Sequence, residues 1–140
     1  MFHLHARPKN RLESIHTSTP SLEAEKLKSV MYGLAIGDAL GVPYEFQQRD
    51  TFNCTGMIGH GEHNQPAGTW SDDTALSLAT LDSLTECHGE VNTADMLMRY
   101  RMWLEHGMYT PDGNTYDSGI TVATAIRSRH GCDGLNDNGN

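Results

Sequence analysis

A chain of 140 residues with 10 Lys and Arg against 18 Asp and Glu carries a formal net charge of −8. At about 150 residues per domain, that length allows one domain and not two. The acidic balance excludes a general nucleic-acid surface, which needs clustered Lys and Arg, and no apolar run approaches the ~20 residues of a membrane span.

Charge is unevenly spread. Residues 1–20 hold Arg7, Lys9 and Arg11 against the single acid Glu13, so the acidic excess belongs to the chain beyond them. Residues 1–18 have no apolar stretch of the about 7–15 residues that a secretory signal needs, and they read as a polar, mobile leader. His3 and His5 within it are open to a metal or to solvent. Cys54, Cys87 and Cys132 are odd in number and lack a C-x-x-C spacing. They argue against a disulfide framework or a zinc site, and for a reducing, cytoplasmic compartment.

The first predicted helix starts at Thr19-Pro20, where Thr caps and Pro suits the first helical position. Glu23 and Glu25 fall in its first turns, where the helix dipole favours acids. Leu27, Val30, Met31, Leu34 and Ala35 follow at spacings of three and four, which predicts an amphipathic helix to Ala39 or Leu40. Gly41 and Pro43 end it. Residues 50–70 are punctuated by Gly56, Gly59, Gly61, Pro66 and Gly68 and predict a long glycine-rich loop. A second helix starts at Ser71 or Asp72 and carries Leu76, Leu78, Leu81 and Leu84. A third starts near Asn92, places Leu97, Tyr100, Trp103 and Leu104 on one face, and stops at Gly107. A fourth starts near Asp117-Ser118 and runs through Ile120, Ala123 and Ile126, with Arg127, Arg129 and His130 at its end and Gly131 closing it. No stretch alternates β-branched with polar residues, so the fold class is all-α.

Four segments offer chemistry. Gly68-Thr69-Trp70-Ser71-Asp72-Asp73-Thr74 places two adjacent carboxylates and flanking hydroxyls at a helix start. Adjacent acids repel and need a counter-charge or full solvation. Oxygen-only ligands favour Mg²⁺, Mn²⁺ or Ca²⁺; the same residues are also the best helix caps. Gly37-Asp38-Ala39-Leu40-Gly41 sets Asp38 on an otherwise apolar helix, as a buried hydrogen-bond anchor or a site residue. Glu45 follows Pro43 on non-helical chain, facing a cleft or solvent. Asp117 in Tyr116-Asp117-Ser118-Gly119 stands at a predicted helix start, as a cap or a site residue. His60 and His63 lie in the long loop without a third ligand and read as solvated. Asn136-Asp137-Asn138-Gly139-Asn140 reads as a tail or turn, and Met96, Met98, Met102 and Met108 as packing.

In combination, these segments resemble the ADP-ribosylglycohydrolase family. Three blocks carry the resemblance: Gly37-Asp38-Ala39-Leu40-Gly41-Val42-Pro43-Tyr44-Glu45, then Gly68-Thr69-Trp70-Ser71-Asp72-Asp73-Thr74, then Asp117-x-Gly119 heading a helix. The resemblance implies an all-α fold with a dinuclear Mg²⁺ centre, Mn²⁺ being the alternative. It implies cleavage of the glycosidic bond between ADP-ribose and a modified side chain, arginine foremost. Ser71, Asp72 and Asp73 would then be metal ligands, and Trp70 would pack behind them. Glu45 and Asp117 would be catalytic. Glu45, Asp117, Gly119, Asn138 and Gly139 would contact substrate, the last two as the opening of the family's Asn-Gly-Asn-Gly segment.

The departure from the family is a second acidic cluster of Asp-x-Asp-[Thr/Ser] type, which does not follow Asp117. The resemblance therefore implies the N-terminal half of the fold over residues 19–140, with part of the metal site and little activity in isolation. Its partners would be ADP-ribose or an ADP-ribosylated protein, and a complementing C-terminal half or a second copy. The alternatives are a non-catalytic helical module that binds ADP-ribose or a protein, and a small helical protein whose acids only cap helices.

Overall fold

The computed structural model describes residues 21–128. The leader expected at 1–18, the cap expected at Thr19-Pro20, Asn138, Gly139 and the expected closing residues Arg129, His130 and Gly131 all lie outside them. The described residues form α1 (Leu22–Gly41), a 3-10 turn (Val42–Tyr44), α2 (Asp72–Glu86), α3 (Thr93–His106) and α4 (Ile120–Arg127), with no strand among them. None of these helices is long and apolar enough to cross a membrane.

Local chemistry sets most of the boundaries. α1 begins after Ser21, later than expected, because the Ser21 hydroxyl accepts the Ala24 N–H at 3.2 Å. It runs through Gly41 into the 3-10 turn, where Pro43 offers no N–H to continue the helix. In α3, the Asn92 side chain accepts from the Asp95 N–H at 3.1 Å, and Gly107 ends the helix at φ 66°. That left-handed conformation strains any side chain, so glycine belongs there.

α4 departs from the sequence expectation. It starts at Ile120 with Gly119 as its cap, not at Asp117-Ser118. The Asp117 carboxylate faces a distant histidine instead of the helix end.

α2 is the central element and packs against both α1 and α3, while α4 packs on α3. The core joins Ala75, Trp103 and Ile126, with Leu76, Leu97, Tyr100 and Leu104 around them. Small residues hold the buried face of α2: Thr74, Ala75, Ala79 and Ser83. They let neighbouring helices come close, and the expected leucines flank this face instead of forming it. The expected apolar face of α1 is only partly covered. Leu27 and Val30 are exposed, Met31, Leu34 and Ala35 are half-buried, and Ala39 is the buried residue of that helix. The spacing suits burial, but none of the described elements covers Leu27 or Val30.

Candidate active site

The site begins with Asp38 on α1. Its carboxylate accepts from the Ser71 N–H at 2.9 Å and the Ser71 hydroxyl at 2.7 Å. It also accepts from the Thr74 N–H at 3.1 Å and the Thr74 hydroxyl at 2.6 Å. Ser71 occupies the N-cap position of α2 but makes no side-chain cap bond. Asp38 meets the open N–H groups from another helix in its place. An ionised acceptor at a helix N-terminus is favoured by both the hydrogen bonds and the dipole. These bonds make Asp38 a hydrogen-bond anchor, and it also lines the groove beside Asp73 and Glu45.

Asp73 is exposed and lines an open groove of about 700 Å³ with Gly37, Asp38, Tyr44, Glu45 and Phe52. Asp72 lies beside Trp70, Tyr116 and Asp117 around a small cavity. Burial, then the charges of Asp73 and Asp117, hold the Asp72 carboxyl above the usual carboxylate range. Trp70 donates its Nε1–H to the Tyr109 carbonyl at 2.9 Å. Tyr109 in turn donates its hydroxyl to Asp82 at 2.6 Å, and Arg99 bonds Asp82 and Asp95. The chain entering α2 is thus fixed to α1 on one side and to the α2–α3 pair on the other.

Glu45 and Asp117 come together through a residue that the sequence reading set aside. His63 Nε2 lies 2.7 Å from Glu45 Oε2 and 3.7 Å from Asp117 Oδ2. His63 is therefore not solvated, as expected, but half-buried between two acids. The loop folds back at Gly61, whose φ is +70° and where a methyl group would run into the Pro43 backbone. Only glycine permits that approach, which sets His63 against the residue that follows the 3-10 turn. Gln65 Nε2 then donates to the His63 carbonyl at 3.1 Å. The available signal was the placement of a histidine two residues after a glycine in the loop leading to the acid pair. His60 does not join; it pairs with Asn64 at 2.9 Å and is exposed.

Tyr116 sits at the centre. Its hydroxyl is buried and has no hydrogen-bond partner among the described residues. Burial pushes the phenol well above its ordinary value, and the charges of Asp38, Glu45, Asp117 and Asp72 add to that. The ring therefore stays a neutral donor amid carboxylates. Gly119 caps α4 and is exposed.

Two donor sets are suited to a cation. Ser71, Asp72 and Asp73 offer oxygen only, the donor type of Mg²⁺ or Mn²⁺; the Ser71 hydroxyl gives its proton to Asp38. Glu45, His63 and Asp117 form a mixed set whose ligand atoms lie within 4.8 Å of one another.

Comparisons with known proteins place the chain in a family. Residues 18–140 match the ADP-ribosylglycohydrolase family. The chain is 33% identical over 110 residues to the ADP-ribosylarginine hydrolase Tri1 of Pseudomonas putida (strain GB-1), covering 79% of this chain and 29% of that protein. It is 32% identical over 109 residues to the ADP-ribosylarginine hydrolase Tri1 of Serratia proteamaculans (strain 568), covering 76% and 30%. The chain thus spans about three tenths of the length of these curated relatives. The match extends across both acidic blocks and the helices that carry them, and the chain belongs to the ADP-ribosylglycohydrolase family.

Proposed function

We propose that this chain forms part of a hydrolase site that removes ADP-ribose from a modified arginine side chain. The observation that carries the reading is the gathering of Glu45, Asp72 and Asp117 around the buried Tyr116 hydroxyl. The two relatives named above supply the arginine linkage.

In this reading Ser71, Asp72 and Asp73 hold Mg²⁺, or Mn²⁺, as part of a dinuclear centre. When bound, the metal supplies positive charge against the diphosphate and polarises ribose hydroxyls. Glu45 and Asp117 border the ribose. The bond from its anomeric carbon to the guanidino nitrogen breaks, and the electron pair leaves with nitrogen. A carboxylate faces the positive charge that develops on the sugar. Water oxygen bonds to the same carbon, a carboxylate takes the water proton, and the departing nitrogen takes a proton in turn. Gly119, Asn138 and Gly139 are the further substrate contacts of this reading. The partial coverage of its relatives supports a site completed by other ligands, so the 140-residue chain alone turns over little. An exposed Cys54 thiol supports a reducing, cytoplasmic setting.

Calorimetric titration of the chain with ADP-ribose in Mg²⁺ tests the reading. One-to-one binding that is lost in the Asp72→Asn, Asp73→Asn double variant supports it. Silence at millimolar ligand sinks it. The exposed apolar residues of α1 favour a second reading, a non-catalytic module docking a second copy or a complementing segment. Tight ADP-ribose binding with no turnover after any complementing segment is supplied would select that reading.

A further inference from the structure

We infer that His63 is a positioning residue that sets the spacing of Glu45 and Asp117; this rests on the proposed site but not on turnover. The His63 side chain is 13% exposed, against 31% for Glu45 and 32% for Asp117. The ring is thus deeper than the acids it faces, and each acid keeps an open side for a ligand. At 2.7 Å, the contact with Glu45 is a hydrogen bond. At 3.7 Å, Asp117 Oδ2 lies close to the same ring nitrogen but beyond a hydrogen bond.

The ring has little freedom to leave. Phe46 meets it edge-on with centroids 5.7 Å apart, and Tyr116 lies against it at 5.4 Å. Its backbone is fixed by the Gln65 bond and by the close packing of Gly61 on Pro43. Two carboxylates drawn toward one point repel each other, and a donor between them offsets that repulsion. His63 is the donor the structure places there. The groups that face the ring are Glu45, Asp117 and Tyr116, while the charges of Asp38 and Asp72 act on the same phenol. The 46–70 loop, not a helix, therefore brings the two acids of the site to a common centre.

The test uses the full 140-residue chain and two variants. His63→Gln keeps an N–H donor without a ring, and His63→Leu keeps bulk without a donor. Carboxyl ¹³C NMR at one near-neutral pH reads the acids directly. The expected result is that His63→Leu moves the Glu45 and Asp117 signals and leaves Glu105 unchanged. His63→Gln restores Glu45 but not Asp117. A merely structural role would move all signals together or none. An unmoved Glu45 signal in folded His63→Leu overturns the inference. So does a Zn²⁺ or Mn²⁺ titration that shifts the ring and both carboxyls in one stoichiometric step while the metal-free chain lacks the His63–Glu45 bond. In Mg²⁺, ADP-ribose affinity falls roughly tenfold in His63→Leu and about threefold or less in His63→Gln. Wild type that shows the carboxyl pattern but takes no ADP-ribose refutes the functional reading and leaves the positioning role standing. Wild type that binds ADP-ribose with carboxyls indifferent to His63 does the reverse.

Discussion

Asp38 and Ser71 lie on different segments, yet the Asp38 carboxylate receives both the backbone N–H and the hydroxyl of Ser71. An acid on one helix thereby caps the next one.

Replacing Asp38 should unseat the start of α2. Asp38→Ala leaves the part-buried donors of Ser71 and Thr74 unmatched and should destabilise the chain by about 2–3 kcal/mol. Asp38→Asn keeps an acceptor but not the charge and should cost about half as much. Urea unfolding of both variants measures this.

Asp72 should act in opposite directions with and without metal. Its carboxyl is held high by burial and by the charges of Asp73 and Asp117. Asp72→Asn relieves that strain in a half-exposed group, so the metal-free variant should be more stable by a few tenths to about 1 kcal/mol. Excess Mg²⁺ should raise the melting temperature of wild type through binding to the folded state. The variant should not respond. Thermal melts with chelator and with Mg²⁺ decide.

Acid should weaken the α2–α3 contact through Asp95. The nearby Ser83 hydroxyl, then the Arg99 guanidinium bonded at 2.7 Å, hold the Asp95 carboxyl below its usual range. The folded chain then binds this proton less readily than the unfolded chain. The stabilisation is complete above the ordinary value, about 4, and is lost as pH falls through the lower folded value. Asp95→Asn should flatten that acid limb in a stability–pH profile and leave the neutral side level.

Gly61 and Gly68 should respond differently to alanine. Both have positive φ, +70° and +87°, but a methyl at Gly61 meets the Pro43 backbone while one at Gly68 meets nothing within 4 Å. Gly68→Ala should cost about 1 kcal/mol of backbone strain. Gly61→Ala should cost about 2–3 kcal/mol and move the Glu45 carboxyl signal as His63→Leu does.

These predictions follow the divide between what is legible locally and what is not. α3 could be read from end to end, because Asn92 and Gly107 each act within the turn they cap and the Trp103 face repeats at helical spacing between them. The start of α2 was equally readable, and so were Asp72 and Asp73 as neighbours. The place of Asp117 near a helix start left a cap and a site residue both open, because composition there says nothing of a histidine brought to it by folding. His63 was passed over for the same reason: its first partner lies 18 residues away. The spacing of Leu27 and Val30 signals burial without saying what covers them.

The tethering of the α2 start has a consequence in time. Asp38 grips Ser71 and Thr74 from one helix, and Tyr109 grips Trp70 from the far side. The acids between these holds are ordered as the chain folds, before any guest arrives. The entropy of arranging them is charged to folding and not to binding. A guest then meets a surface already set, and its arrival rate should depend on diffusion and charge more than on any rearrangement of Asp72 or Asp73.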